Sequence, residues 1–297
     1  MFLCHLVKEI SRRVSFDLDD EDDMNSSYTE WYLTERFISD IRYYGHKSSG
    51  LGHILPLIKI DRPSEKTTGG DMEWVFVAPC EIQGPQYIRV IIQCKRVFLA
   101  APVRAPRWEY SELYHSKGTG SQVVTLTNYA RRSPQTAALY MLFNAGKLSG
   151  IYGSDVKGIN LLNAEYVRRW RDIAIRKKSG GIWPIEVSHL KPYFFSLEDI
   201  FCPKIRIPTL LPNPRKSLEV RTNLAIHPAR IITLLNSSEN IRAIEVEQNQ
   251  NIPDSISKSL KGYLEKEPGV YQSINKHIKR TRIVFCSNIR NFNEYDV

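Results

Sequence analysis

The fold is decided by Gly69-Gly-Asp-Met-Glu-Trp74 and, after a short connection, by Ile88-Arg-Val-Ile-Ile-Gln-Cys-Lys-Arg96. Segments 72–78 and 87–95 consist largely of β-branched, aromatic and other apolar residues, and the loop 79–86 between them contains proline and glycine. This pattern predicts two β-strands joined as a hairpin.

The polar residues of this hairpin are spaced so that they can meet. Side chains alternate along a strand, so Gln93 and Lys95 point to one face while Cys94 points to the other. Asp71 and Glu73 are likewise two residues apart, at the start of the first strand. Two acids, an amide and a lysine are therefore expected to converge across the hairpin. The alternative is a hairpin with solvated polar residues at its edge, although burying an uncompensated lysine would be unfavourable.

This set of side chains meets the needs of phosphodiester hydrolysis. Oxygen ligands hold Mg²⁺, the metal lowers the pKa of an attacking water, and a lysine positions that water or stabilises the transition state. Magnesium needs few protein ligands, so Asp71, the Gln93 side-chain oxygen and the Cys94 backbone carbonyl are predicted to bind it. Lys95 is the predicted catalytic lysine. Glu73 is a candidate further ligand, or a surface residue of the strand.

The hairpin resembles a known family. An aspartate followed by (D/E)xK is the signature of PD-(D/E)xK nucleases, and the GGD...IIQCKR form, with glutamine in the acid position, is similar to the Mrr-type branch of restriction endonuclease-like enzymes. The resemblance covers roughly residues 25–145, and the later half resembles only a poorly described bacterial family that shares this core. It implies an α/β fold with a restriction endonuclease-like core, in which helices flank a mixed central sheet, followed by a C-terminal α/β extension.

The resemblance also implies an activity. Such enzymes are endonucleases that cleave DNA, less often RNA, with Mg²⁺ or Mn²⁺. They act in bacterial restriction, repair or antiviral defence, often as homodimers, and a defence complex is another expected partner. A different class of function remains open: a nuclease-fold module that binds nucleic acid or a protein partner without cutting, because an amide ligand carries no charge.

The family usually carries an acidic residue on its first helix. Here Ser27-Tyr-Thr-Glu30 has the spacing of a capping box, and a helix is predicted from it to about Tyr44, ended by Gly45. At about 100° per residue, Glu30 lies within the apolar arc of that helix, whereas Glu35 lies about 140° away from Glu30. Glu30 is therefore the predicted fourth catalytic and metal-binding residue. Its other explanation is closure of the capping box.

Further elements follow the hairpin. A helix is predicted over 122–132 and a buried strand over 137–143. Gln122 resembles the glutamine that this fold places near the catalytic end, and Tyr129, two turns later, is expected to touch the nucleic acid backbone. A plain helix-start glutamine is the alternative explanation for Gln122.

The remainder of the chain shows weaker patterns. A basic helix is predicted over 161–177, a connection over 184–198, and short helices and strands over 218–297. The chain divides into an N-terminal segment 1–24 whose acidic run, DLDDEDD, is expected to be solvated and partly disordered, a nuclease-like core 25–150 and a basic extension or small domain 151–297.

Net charge and basic clusters favour a polyanionic partner. The formal charge is +9, and phosphate neutralisation releases counterions from nucleic acid. Basic residues occur in clusters at 168–171, 176–178 and 276–282, each of which is otherwise a solvated face. The residues predicted to contact nucleic acid are Arg96, Tyr129, Arg168, Arg169, Arg171, Lys177 and Lys178.

Composition excludes other classes. No apolar run approaches the length of about 18 residues needed to span a membrane, and the N-terminal apolar run is too short for a signal peptide, so a cytoplasmic location is expected. The five cysteines are widely spaced, which indicates neither a disulfide framework nor a zinc site. There is no HExxH motif, nucleophile elbow or P-loop.

Overall fold

The computed structural model describes residues 3–24, 28–47, 58–59, 65–78, 86–100, 107–110, 113, 116–117, 120–176, 185–202, 226–237, 244 and 281–287. Within them, a seven-stranded mixed sheet forms the centre of the fold. Its strands, in spatial order, are β1 (Ile58–Lys59), β12 (Thr281–Cys286), β2 (Met72–Val77), β3 (Tyr87–Arg96), β8 (Thr136–Phe143), β9 (Ile159–Asn163) and β11 (Phe195–Ser196). A three-stranded sheet of β10 (Ile185–Glu186), β5 (Arg107–Tyr110) and β4 (Phe98–Ala100) and a ribbon of β6 (Ser116–Lys117) and β7 (Gly120–Ser121) lie beside it.

Helices flank the sheet. They are α1 (Leu3–Met24), α2 (Glu30–Lys47), α3 (Glu65–Thr68), α4 (Gln122–Arg132), α5 (Leu148–Tyr152), α6 (Ala164–Arg176), α7 (Val187–Leu190), α8 (Leu197–Phe201) and α9 (Pro228–Asn236), with a 3₁₀ turn at Lys191–Tyr193. The mixed α/β fold with helices on a mixed central sheet is thus confirmed.

The predicted hairpin is confirmed. Strands β2 and β3 pair antiparallel with Met72 opposite Ile92 and Val75 opposite Arg89. On its other side β3 runs parallel to β8, with Gln93 opposite Tyr140. A parallel neighbour requires a crossover connection, and α4, in the position predicted from the sequence, lies on that connection.

One face of the sheet carries an aromatic core. Trp74 of β2 is fully buried and packs against Phe37 of α2, Phe201 of α8 and Phe285 of β12, with ring centroids 5.8–6.0 Å apart. Because alternate residues of a strand face opposite sides, Glu73 and its neighbours in register face α4 instead. This face is polar near the end of β3 and contains the candidate site.

Helix α1 lies in a segment for which the sequence analysis predicts no helix. Its apolar residues Leu3, Leu6, Val7, Ile10, Val14 and Leu18 recur at helical spacing and are buried. The expected solvated segment is corrected: Asp17 belongs to α1, is 8% exposed and forms an ion pair with Arg36 at 2.6 Å. Burial raises the pKa of the Asp17 carboxyl, and Arg36 opposes that effect.

Two predicted helix boundaries change. Helix α2 continues through Gly45 to Lys47. The predicted basic helix 161–177 begins only at Ala164, because Leu161 and Leu162 are buried in β9 and pair with Met141 and Tyr140 of β8. Position 177 lies outside the described residues.

The later half of the chain contributes to the same sheet. Strands β9, β11 and β12 all come from beyond residue 150, and β12 runs parallel to β2 beside the hairpin. The expected connection 184–198 contains β10, α7, the 3₁₀ turn and β11. The division of the chain near residue 150 stays a prediction, although the central sheet takes strands from both sides of it.

The cysteine prediction is corrected by a disulfide. Cys4 of α1 is bonded to Cys202, which follows α8, across a sequence separation of 198. That separation hides the pair from any spacing rule, since only the packing of α1 on α8 brings the two together. None of the helices in the described ranges has the length and apolar composition needed to cross a membrane.

Candidate functional site

Two glycines set the position of Asp71. Gly69 has a φ of +72°, and a Cβ there would lie 2.7 Å from the backbone oxygen of Gln122 and from the backbone nitrogen of Leu126. A Cβ on Gly70 would lie 2.6 Å from the Ile91 side chain. Only glycine therefore fits between α4 and β3 at these positions, and the Asp71 amide then donates to the Ile92 carbonyl at 2.7 Å.

Asp71 and Gln93 are in direct contact. Asp71 Oδ2 accepts hydrogen bonds from Gln93 Nε2 at 2.6 Å and from the Cys94 amide at 2.7 Å. Gln93 Nε2 also lies 3.2 Å from the Cys94 carbonyl oxygen. The carboxylate, the amide and the backbone carbonyl predicted as metal ligands are thus neighbours on one side of the sheet.

Gln122 extends this group. Its Nε2 donates to Gln93 Oε1 at 2.8 Å, so the first residue of α4 fixes the orientation of the Gln93 amide. The sequence offers two explanations for Gln122, a residue of the site or a plain helix-start residue. Its contact with Gln93 favours the first. Tyr129, about two turns further along α4, instead accepts a hydrogen bond from Arg89 at 3.1 Å.

Lys95 and Glu30 form an ion pair. Lys95 Nζ lies 2.9 Å from Glu30 Oε1 and 3.3 Å from Oε2, with the two side chains 5% and 27% exposed. Glu35 is exposed, as the helical geometry predicts. Ser27, the capping-box partner proposed for Glu30, lies outside the described residues, and Thr29 Oγ1 accepts from the Tyr32 amide at 3.2 Å.

The thiol of Cys94 faces away from this group. It is fully buried, and burial, followed by the nearby Asp71 carboxylate, raises its pKa well above the usual range, while a hydrogen bond with Thr34 acts in the opposite direction. The thiol therefore stays protonated near neutral pH, and Cys94 has only its backbone carbonyl to offer a metal.

The donor set fits a hard divalent cation. Carboxylate, amide and backbone carbonyl oxygens are the ligand types that Mg²⁺ and Mn²⁺ prefer. Gln93 turns its nitrogen toward Asp71, but rotation about its last torsion exchanges nitrogen and oxygen, and the Gln122 amide can pair with either. In the described ranges no three His, Cys, Asp or Glu side chains form a metal-binding group, so a cation at this place depends on the amide and the carbonyl.

Glu73 is neither a surface residue nor part of this donor set. Its carboxylate is 3% exposed and contacts Arg89 at 2.6 Å and Arg282 at 2.7 Å. Burial alone would raise the Glu73 pKa, but the two guanidinium groups outweigh burial and lower it. Both expectations for Glu73 are therefore corrected, because its oxygens are used in a buried ion triad. The same triad removes Arg282 from the predicted basic cluster at 276–282, since Arg282 is 1% exposed.

Several residues predicted to contact nucleic acid have partners within the protein. Arg96 donates to the Tyr28 carbonyl oxygen and stacks over the Phe98 ring at 4.2 Å. Arg168 donates to Thr127 and Asn128, both at 2.8 Å.

The remaining predicted contacts lie on or beyond α6. Arg171 pairs with Asp172 at 3.1 Å, and Arg169 is exposed. Lys177 and Lys178 lie outside the described residues. The cluster at 168–171 is thus partly a set of structural contacts between α4 and α6.

Sequence reasoning missed the arginines of the buried triad and the aromatic side chains beside Glu30. Arg89 stands on the same face of β3 as Gln93, a position that strand alternation could have shown. Trp31 is 72% exposed, and its place next to Glu30 was visible in the sequence.

Comparison with known proteins places the chain in a family without assigning it an activity. No functionally curated protein matches it. The profile of one family, described as a family of unknown function, matches residues 3–291, nearly the whole chain. The chain therefore belongs to the family of unknown function DUF6615.

Proposed function

We propose that this protein is a metal-dependent nuclease with a restriction endonuclease-like core, hydrolysing phosphodiester bonds of DNA or, as the less favoured substrate, RNA. The observation that supports the proposal is the contact of Asp71 with Gln93 at the end of the hairpin that also carries Lys95. Gln93 Nε2 donates a hydrogen bond to Asp71 Oδ2 at 2.6 Å. Lys95 lies two residues after Gln93 on the same face of β3.

Each residue has a distinct role in this proposal. Asp71, Gln93 and the Cys94 carbonyl would hold Mg²⁺ or Mn²⁺, with Glu30 completing the acidic group. When bound, the cation lowers the pKa of a water and offsets charge on the phosphate. Lys95 donates hydrogen bonds to the attacking water or to a phosphate oxygen. Gln122 orients Gln93.

Glu30 has a second effect through Lys95. Bringing an ammonium group to a site with 5% exposure is unfavourable unless a counter-charge accompanies it. The Glu30 carboxylate at 2.9 Å supplies that charge and limits the directions in which Nζ can point. A preorganised donor of this kind stabilises developing negative charge without reorganisation during the reaction.

The likeness of the hairpin to Mrr-type enzymes supports a setting in bacterial restriction or antiviral defence, and action as a homodimer or within a defence complex. The net charge of +9 is consistent with a polyanionic substrate.

A cleavage assay tests the proposal. Wild-type protein with Mg²⁺ or Mn²⁺ is expected to cut at least one of duplex DNA, single-stranded DNA, modified DNA or RNA, and chelation is expected to stop the reaction. Lys95→Ala should reduce the rate at least a hundredfold, since removing one transition-state donor costs roughly that much. Lys157→Ala, which removes an exposed lysine that has no role in the proposal, should cut at the wild-type rate.

The second candidate is a nuclease-fold module that binds without cutting, and the uncharged Gln93 amide favours it. It predicts salt-dependent binding of nucleic acid, no cleavage with any metal, and no difference between Lys95→Ala and wild type beyond affinity. Cleavage that survives Lys95→Ala unchanged would contradict the roles given above, because it would come from another site or a contaminant.

A further inference from the structure

Exposed aromatic rings surround the first turn of α2. Trp31 is 72% exposed and Tyr32 37% exposed. The Tyr28 ring stacks on Tyr32 with centroids 5.0 Å apart and planes 21° apart. Large aromatic side chains contribute most when they are buried, so exposed rings grouped at one place indicate a surface that binds something.

The residues that carry these rings are neighbours in sequence of two residues of the candidate site. Trp31 follows Glu30, whose carboxylate contacts Lys95 at 2.9 Å. Arg96, next after Lys95, donates to the Tyr28 carbonyl and stacks over Phe98 at 4.2 Å. We refer to Tyr28, Trp31, Tyr32 and Phe98 as the aromatic patch.

The buried side of α2 does not cover Trp31. Leu33, Phe37 and Ile41 are at most 1% exposed and bury that side against the sheet. Trp31 lies about two turns before the buried Ile38 on nearly the same side of α2, yet it is 72% exposed. The hydrophobic core therefore does not account for a tryptophan here.

The charges around the patch select its ligand. The guanidinium of Arg96 lies against Phe98. That of Arg36 lies 3.2 Å from the Tyr32 hydroxyl and is also ion-paired with Asp17 at 2.6 Å, so Arg96 is the main cation beside the rings. Aromatic rings interleaved with cations are the surface that single-stranded nucleic acids use, since bases stack on the rings and phosphates lie near the cations. Bases in a duplex are already stacked and cannot reach such rings.

We infer that the aromatic patch stacks unpaired bases next to the phosphodiester held at Asp71 and Lys95, so the substrate is single-stranded or locally unpaired nucleic acid. Trp31 is the main stacking residue, and Tyr28 and Tyr32 support the neighbouring base. This inference rests on the proposed function for the position of the phosphate, but the stacking itself needs neither metal nor cleavage.

Binding without metal tests the inference. In EDTA, a thymidine oligonucleotide and an abasic oligonucleotide of equal length are titrated into full-length protein, and binding is followed by fluorescence anisotropy. Wild type should bind the thymidine strand more tightly than the abasic strand. Trp31→Ala should weaken thymidine binding about tenfold, within the range for loss of one base–aromatic stack, and leave abasic binding unchanged.

Two further variants make the result specific. Trp31→Phe keeps an aromatic ring and should retain most of the affinity. Tyr43→Ala removes a side chain that is 54% exposed near the other end of α2 and should bind both strands like wild type. Thermal denaturation of each variant verifies the fold independently.

Some outcomes overturn the inference. Equal binding of both strands by wild type, or an equal loss for both strands in Trp31→Ala, means that the patch does not stack bases. A Trp31→Ala variant that binds both strands normally but loses self-association or vesicle binding assigns the patch to a protein or lipid partner. Base-dependent binding without any cleavage would refute the nuclease proposal and leave stacking in place, whereas cleavage with no Trp31 effect would refute stacking alone.

Discussion

Replacing Glu73 by glutamine is expected to destabilise the fold strongly. The Glu73 side chain is 3% exposed, and its carboxylate lies 2.6 Å from the Arg89 guanidinium and 2.7 Å from that of Arg282. The Arg282 side chain is itself only 1% exposed. The triad carries one net positive charge, and Glu73→Gln raises it to two with no buried anion. Removing one partner of a buried pair typically costs about 3–5 kcal/mol in the free energy of unfolding.

Urea denaturation at neutral pH, followed by circular dichroism, measures this loss. Glu165→Gln is the matched control, since Glu165 also contacts an arginine through both oxygens, at 2.8 and 2.7 Å, but with side-chain exposures of 15% for Glu165 and 35% for Arg131. Glu165→Gln should lower the free energy of unfolding by less than about 1 kcal/mol. Equal, small losses for the two variants would refute the assignment of Glu73 to a buried triad.

The same variant has a pH signature. The folded-state pKa of Glu73 is lowered, so its stabilising contribution is fully present above the unfolded carboxyl pKa, about 4.3, and is lost as pH falls through the lower folded-state value. The difference in unfolding free energy between wild type and Glu73→Gln should therefore narrow below about pH 4. A difference that stays constant there would contradict the lowered pKa.

Three further perturbations have defined outcomes. Cys202→Ser should lower the free energy of unfolding by up to about 5 kcal/mol, because the Cys4–Cys202 bond closes a loop of 198 residues. The difference between variant and wild type should vanish in reductant. A difference that persists in reductant would mean that the bond is not what stabilises the wild type. Gly69→Ala should abolish cleavage and lower the melting temperature, because the new Cβ would stand on a backbone with positive φ and lie 2.7 Å from backbone atoms of α4. A wild-type melting temperature would contradict this close approach of residue 69 to α4. Gln93→Glu places a second carboxylate beside Asp71. Without metal the two like charges should lower the melting temperature, and with Mn²⁺ the added charge should tighten binding measured by calorimetry. An unchanged Mn²⁺ affinity would argue against Gln93 as a ligand.

Local rules were enough to find the candidate site. Strand alternation over 93–95 and the glycines before Asp71 act within one hairpin, in which Met72 of β2 pairs with Ile92 of β3. The choice of Glu30 over Glu35 required only the helical period of α2. These features are encoded by residues close together in sequence, where periodicity is informative.

Long-range pairings could not be predicted in the same way. Arg282 reaches Glu73 from 209 residues away, and β12 enters the sheet beside β2 only in the folded chain. The Cys4–Cys202 disulfide likewise joins residues that are far apart in sequence and meet only in the folded chain. The predicted helix 161–177 includes the last three residues of β9, because the buried run 159–162 has no period that separates a strand from a buried helix. In α1 the apolar residues have helical spacing, but the acidic run 17–23 within the helix favours a solvated segment when the sequence is considered alone.

The central claim is that Asp71 and Gln93 hold a divalent cation beside Lys95, and a crystal of the wild-type protein soaked in Mn²⁺ tests it most directly. Anomalous scattering should reveal one strong peak coordinated by the Asp71 carboxylate, the Gln93 side-chain oxygen and the Cys94 carbonyl, and Asp71→Asn should remove it. A wild-type crystal without density at this position, or with manganese bound only elsewhere, would contradict the proposed mechanism.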